Sequence, residues 1–373
     1  MAYQPPTLPL PIDLETKPIL KKLTQAHRAL AELKGAAGLV PNENILVNTL
    51  SLQEARDSSA IENIITTQDD LFKSDVYANE FVTLAAKEVH NYALALRDGF
   101  RKVRATGLIT LNDILAIQAT LEENRAGFRK LPGTELKNER TGATVFTPPQ
   151  AYDDIVAGMA NLELFINDAA VSDLDPLVKM AIVHHQFESI HPFYDGNGRT
   201  GRILNILYLV QQGLLTTPVL YLSRYINQQK GDYYRLLQAV REQGVWEEWV
   251  MYMLEGVEQT SRQTTLLVHA IKNVMQAHKV KIRSELPRVY SQDLLNSLFG
   301  HPYSKIAFVQ RDLGVTRVTA TKYLEALTDL GLLHKMRFGR DNYFINKDLV
   351  DLLANVQALW EGSADAGCGG ERA

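Results

Sequence analysis

Residues 191–202 read His-Pro-Phe-Tyr-Asp-Gly-Asn-Gly-Arg-Thr-Gly-Arg, a run dense in groups that can do chemistry. The His191 imidazole, with an ordinary pKa near ~6.5, is mostly neutral at pH 7 and fit to take a proton. Asp195 offers a hard oxygen ligand suited to Mg2+, or a cap for a following helix. Gly196, Asn197 and Gly198 feed a helical pattern over 198–212. Glycine-rich backbone at a helix N-terminus presents free N–H groups and the positive end of the helix dipole, and together these bind anions. Arg199 and Arg202 stand three apart on one helical face and suit several phosphate oxygens at once. A tight turn with solvent-facing arginines explains any one of these pieces but not the set. A base beside a phosphate cradle suits transfer of a nucleotidyl group to a hydroxyl.

The run resembles the signature of the Fic family, His-x-Phe-x-(Asp/Glu)-Gly-Asn-Gly-Arg-x-x-Arg, and meets it at every fixed position. Most Fic proteins are adenylyltransferases (AMPylators): they move AMP from ATP to a hydroxyl of a target protein and release pyrophosphate. The resemblance implies His191 as catalytic base, Asp195 as the Mg2+ ligand, and an ATP site of Gly196, Asn197, Gly198, Arg199, Thr200, Gly201 and Arg202. Phe193 is expected to plug into the core. Tyr234, the second of the Tyr233-Tyr234 pair, matches a position that contacts the nucleoside in relatives, although aromatics at helical spacing also build cores. Where some relatives carry an asparagine near the base, this chain has Arg241. His184 and His185 precede the run, but helix neighbours point about 100° apart and no His-Glu-x-x-His order is present, which argues against zinc.

Residues 58–63, Ser-Ser-Ala-Ile-Glu-Asn, resemble the inhibitory motif of the same family, (Ser/Thr)-x-x-x-Glu-(Gly/Asn), with Ser58, Glu62 and Asn63 at its fixed positions. Ser58 and Glu62 are four apart, on one face of a predicted helix. A Glu62 carboxylate paired with Arg202 inside the ATP site would take the cation that the γ-phosphate needs and put negative charge in its place. The same carboxylate could instead orient a water that removes AMP. Residues 134–147 read as two short strands and look like the Fic flap, whose edge relatives use to hold a target segment as an added strand.

These residues need a scaffold, and helical periodicity dominates the chain. Helices are expected at about 18–35, 43–65, 78–106, 111–124, 151–168, 176–190, 198–212 and 231–254. Asp175-Pro176 opens one of them with an N-cap and a first-turn proline. The expected fold is mostly α: a Fic-type helical core with a short β-hairpin flap, followed by a C-terminal winged helix-turn-helix domain. The latter rests on short helices at Tyr290–Phe299 and Ile306–Leu313, a longer one at Thr316–Leu330, and a hairpin of Leu332–Arg337 with Asn342–Ile345. The expected domains are an N-terminal region 1–85, a catalytic core 86–256, a helical connector 257–282, a winged-helix domain 283–355 and a tail 356–373.

Composition sets the bounds. Apolar residues make up 46% and charged residues 22% of the 373, an ordinary soluble balance, and the net charge of −4 implies no global attraction to nucleic acid. A single cysteine, Cys368, fits a reducing cytoplasm, and no apolar stretch reaches membrane-spanning length. Segment 281–348 departs from the rest with eleven Lys/Arg against seven Asp/Glu. Arg317, Thr319, Thr321 and Lys322 on its long helix, with Arg337 and Arg340 on the wing, suit DNA phosphates, yet winged helices also dock proteins. The expected partners are a target protein, which could be the chain itself, DNA or protein at the winged helix, and a second copy of the chain in a homodimer. Two alternatives to AMP transfer stand beside it: AMP removal or another Fic-type group transfer, and a nucleotide-sensing DNA-binding regulator.

Overall fold

Fourteen helices and five short strands account for the regular structure among the described residues. The computed structural model describes residues 2–67, 70–71, 83–137, 141–338, 341–356 and 360. In order these are α1 (Lys17–Ala37), α2 (Glu43–Ile61), α3 (Leu84–Thr106), α4 (Leu111–Glu122), β1 (Leu136–Lys137), β2 (Thr144–Phe146), α5 (Tyr152–Asn167), α6 (Pro176–Ile190), α7 (Asn197–Gln211), α8 (Leu222–Gln228), α9 (Lys230–Gln243) and α10 (Trp246–Glu285). There follow α11 (Gln292–Gly300), β3 (Tyr303–Ser304), α12 (Ile306–Leu313), α13 (Arg317–Asp329), β4 (His334–Phe338), β5 (Asp341–Ile345) and α14 (Lys347–Ala354). The chain divides into two compact units that interleave in sequence. One holds Met1–Ala31, Glu54–Ile65 and Glu88–Ser261; the other holds Glu32–Gln53, Thr66–Lys87 and Arg262–Ala373.

The first unit is organised around α6. Asp175 caps it by accepting from Leu177 N–H at 2.8 Å, Pro176 needs no hydrogen-bond partner there, and every residue from Leu177 to Ile190 is buried. A helix buried on all sides must be wrapped, and α5 and α7 flank it directly while α4 packs on α7. Trp249 of α10 is fully buried and donates from its indole nitrogen to Ala181 O at 2.8 Å. Burying such an aromatic contributes about 1.5–3 kcal/mol by area alone. The proline-rich start is tied down: Asn161 pairs both backbone groups of Leu8 at 2.8 and 2.9 Å, and Tyr3 N–H donates to Thr147 O at 2.8 Å beside β2. β1 and β2 pair antiparallel, Leu136 opposite Phe146.

The second unit carries α11, α12, α13 and a three-stranded antiparallel sheet in the order β3-β5-β4, with Tyr303 and His334 on either side of Ile345. Its core includes Leu294, Leu298, Phe299, Val309, Leu324, Leu327 and Phe344. Thr316 caps α13 through Oγ1, which accepts from Thr319 N–H at 3.2 Å. Arg317, Lys322 and Arg337 are exposed.

Several boundaries differ from expectation. The helix expected over 231–254 is two, because Gly244 takes a left-handed φ of 69° and stops α9. The stretch read as a separate connector over 257–282 lies inside the 40-residue α10. α8, β3 and α14 were not anticipated; two-residue β3 is too short to show alternation. Residues 78–82 of an expected helix, Arg340 of the expected wing and the tail from 361 with Cys368 lie outside the described residues.

Candidate active site

Polar side chains pin both ends of the loop between α6 and α7. His191 ends α6 in the left-handed region (φ 49°, ψ 59°), its N–H bonded to Phe187 O at 2.9 Å. Arg129, fully buried, donates from Nε to His191 O at 2.8 Å and from Nη2 to the carbonyls of Pro149 and Ile190. At the other end, Asn197 Oδ1 accepts from Phe193 N–H and its Nδ2 donates to Phe193 O, both at 2.9 Å. The Asn197 side chain is thus used to close the loop, and Phe193 is buried between Phe128 and Phe187, as expected of a core plug. Gly196, with φ 77°, is the left-handed N-cap of α7.

The run does not present all its residues alike. Thr200 is buried and returns its N–H to Gly196 O at 2.9 Å. Gly201 faces α6, where a β-carbon would stand 2.8 Å from Glu188 Oε1 and 3.1 Å from Phe187 Cδ1. These two members of the implied ATP set therefore sit on the packed side of α7. Gly198 is the glycine at the charged cluster, where a β-carbon would stand 2.5 Å from Glu62 Oε1 and 2.8 Å from Arg202 Nη1.

Glu62 bridges the two arginines. Its Oε1 lies 2.7 Å from Arg202 Nη2 and its Oε2 2.8 Å from Arg199 Nε. Ser58 completes the hold on Arg202, its Oγ accepting from Nε at 2.7 Å and its carbonyl from Nη2 at 3.1 Å. The expected Glu62–Arg202 pair is present, but the helical face is not: α2 stops at Ile61. Asn63 takes a left-handed φ of 62°, its N–H bonds Ala60 O at 3.1 Å, and Ile64 N–H bonds Ser59 O at 3.0 Å. This is a Schellman stop, and it explains why glycine or asparagine suits position 63.

Two further carboxylates escaped the sequence reading. Arg199 Nη1 pairs with Glu88 at 3.0 Å and Nη2 with Glu122 at 2.9 Å, with Asp195 Oδ1 at 3.8 Å from Nη2. The two arginines thus face four acidic side chains. Burial raises the Glu122 pKa although Arg199 pulls the other way. Burial also opposes charge on Arg202, but Glu62 and its other acidic neighbours hold its pKa above the ordinary value. Nothing in the sequence around Glu88 or Glu122 marked them, since each lies on an ordinary helix outside the 191–202 run and outside the 58–63 motif.

His191 is deprotonated at neutral pH. Burial, then the positive charges of Arg241 and Arg129, push its pKa down to about 3, and Nδ1 is buried without a hydrogen-bond partner among the described residues. A neutral imidazole can accept a proton. His184 and His185 are structural: the first contacts Tyr233 OH at 2.9 Å and Asn205 at 3.1 Å, the second Leu237 O at 3.2 Å. Asp195 is 77% exposed and accepts from Gly196 N–H at 2.7 Å. Among the described residues no group of three or more His, Cys, Asp or Glu side chains is arranged to hold a metal. One exposed carboxylate at a phosphate cradle fits Mg2+, which takes the rest of its shell from phosphates and water, and does not fit a protein-only cage. Tyr234 is exposed beside buried Tyr233.

Residues 20–101 match the Fic/DOC family N-terminal model, residues 108–209 the Fic/DOC family model, and residues 274–349 the model of the C-terminal domain of SoFic-like protein adenylyltransferases. The protein adenylyltransferase Fic of Drosophila erecta is 27% identical over 175 residues, 46% of this chain and 33% of its own length. That of Aedes aegypti is 28% identical over 174 residues, with the same coverage. The chain thus spans about a third of the length of these curated relatives. A Fic family protein from Desulfovibrio desulfuricans G20 shares the fold, with a TM-score of 0.56 at 21% identity over 92% of this chain and 98% of that one. A Fic domain containing signaling protein from Bacteroides thetaiotaomicron gives 0.53 at 17% identity, over 65% of this chain and 95% of its own. Among the described residues no helix is long and apolar enough to cross a membrane.

Proposed function

We propose that this chain, which belongs to the Fic/DOC family, moves AMP from ATP to a Ser, Thr or Tyr hydroxyl of a protein and is held back by Glu62. The hydroxyl oxygen attacks the α-phosphorus, neutral His191 takes its proton, and pyrophosphate leaves. The open end of α7 with Arg199 and Arg202 holds the outer phosphates. Mg2+ held by Asp195 would neutralise phosphate charge. Tyr234 would contact the nucleoside, and β2 would align the acceptor segment.

The observation that carries this reading is the Glu62 carboxylate bonded to both Arg199 and Arg202 at the start of α7. A γ-phosphate cannot use those cations while the bridge stands. Charge-assisted bonds of about 1.5–3 kcal/mol correspond to roughly tenfold to a hundredfold in occupancy. Glu62→Gly is expected to raise incorporation of label from α-³²P-ATP into protein by that order, with no label from γ-³²P-ATP. His191→Ala should abolish it in the same background. Equal incorporation by the parent and Glu62→Gly would remove the inhibitory role. Release of AMP from pre-labelled protein by the parent, but not by Glu62→Gly, would favour AMP removal instead.

A second reading concerns 283–355. Its helix-helix-helix-hairpin order and the exposed Arg317, Lys322 and Arg337 support a winged helix that touches phosphate backbone. A salt-dependent gel shift lost in Arg317→Ala/Lys322→Ala tests it.

A further inference from the structure

We propose that Arg241 is a positioning residue that fastens β2 to the end of the catalytic helix: its guanidinium carbon lies 3.7 Å from the Phe146 ring centroid, while Nε donates to Ser189 Oγ at 3.0 Å and Nη2 to Glu188 O at 3.2 Å. One planar cation thereby joins the last residue of β2 to the two positions that lie two and three residues before His191. Gln238, one turn earlier on α9, adds a second tie by donating from Nε2 to Val145 O at 3.3 Å. Together they hold β2 to α9 beside a cavity of about 490 Å³ that Tyr3, Phe146, Gln238, Arg241 and Glu242 help to line.

Among the described residues the guanidinium forms no ion pair, and its two hydrogen bonds run to neutral oxygens. Burial lowers its pKa to about 10, against the pull of Glu188. A flat cation is needed because the same group must stack on a ring and donate in its plane, and lysine cannot do both. The charge also reaches His191. The groups that face this imidazole electrostatically are Arg241 from α9, Arg129 from the segment after α4, and Glu188 through its backbone on α6. Arg241 thus sets two properties of the proposed reaction: where the acceptor strand lies and how readily the base is kept neutral. The inference rests on the reading of His191 as base, but its test does not.

The test uses the full chain carrying Glu62→Gly, with Arg241→Gln and Arg241→Lys each added. Histidine-selective NMR follows the His191 imidazole, assigned by its loss in His191→Gln, and hydrogen exchange follows the amides of 144–146. Arg241→Gln, which loses the charge, is expected to move the His191 midpoint up from about 3 towards the ordinary ~6.5. Arg241→Lys is expected to leave that midpoint low. Both are expected to speed exchange in β2 by about tenfold, because both lose the stacked plane. A residue that merely filled space would move exchange and leave the imidazole unshifted in both variants. An unchanged His191 midpoint in Arg241→Gln, or unchanged β2 exchange in both variants, overturns the proposal. Absence of AMP transfer in the Glu62→Gly parent would count against the enzymatic reading alone, since neither readout needs turnover.

Discussion

Arg199 is the most heavily engaged side chain of the site, with Glu62, Glu88 and Glu122 each taking a different nitrogen. Removing Glu62 therefore frees Arg202 more completely than Arg199. Adding Glu88→Gln to Glu62→Gly should tighten ATP binding further, by about threefold given the partial exposure of Glu88 and solvent screening. Titration calorimetry reads this directly, and equal affinity in the single and double variants would show that Glu88 does not compete with phosphate. At this scale the sequence spoke clearly only where chemistry was contiguous. His191, Asp195, Arg199 and Arg202 could be picked out, because a run of unusual types announces itself, and Glu62 through the family motif that residues 58–63 resemble. Glu88, Glu122 and Arg129 could not, since their roles arise from approach in space of segments far apart in the chain.

Among the elements, the end of α2 decides where the Glu62 carboxylate stands. The expected helix ran to 65, and the structure stops it at Ile61 because Asn63 adopts a conformation that β-branched residues resist by roughly 1–2 kcal/mol. Asn63→Gly should retain the stop, whereas Asn63→Val should lower the unfolding midpoint and raise basal AMP transfer as the Glu62 bridge loosens. A Val variant as inhibited as the parent would separate the turn from the brake. The α6–α7 approach gives a second case. Gly201→Ala puts a methyl group against Glu188 and Phe187, an overpacking that costs about 1–3 kcal/mol, visible as a lowered denaturation midpoint. The long helices were legible from their periodicity and from caps such as Asp175-Pro176. The break at Gly244 was not, because apolar spacing continues across it and outweighs the one glycine, whose left-handed angle makes the stop.

For the whole molecule, buried titratable groups shape the dependence of stability on pH. Burial holds His184 and His191 at about 3 and His185 well below its ordinary value. An unfolded imidazole takes its proton near ~6.5, so these groups withdraw stability as pH falls from there towards 3. Glu54 and Glu188 act in reverse: burial pushes them up to about 8 and about 7. Their unfolded carboxyls ionise near ~4.3, so their contribution is lost as pH rises through the folded values. Between about 4.5 and 6.5 the two slopes oppose each other; outside that window only one acts. The thermal midpoint should therefore peak in mildly acidic buffer and fall on both sides. A midpoint that climbs steadily to pH 9 would contradict the assignment of Glu54 and Glu188 as protonated in the fold. Glu54 receives Tyr92 OH at 3.2 Å and the Ser223 backbone N–H at 3.2 Å, contacts made across α2, α3 and α8 that no linear pattern foretold.

The short strand β2 has a consequence for whatever is handed to the proposed site. The carbonyls of Val145 within it and of Thr147 just past its end share one side of the ribbon, and both already hold donors from this chain, Gln238 Nε2 and Tyr3 N–H. A visiting peptide that zippers along this margin must evict at least one resident before its own amides find a home. Selection would then rest on cargo whose side chains repay the eviction, and indiscriminate pairing with any extended polypeptide would be discouraged.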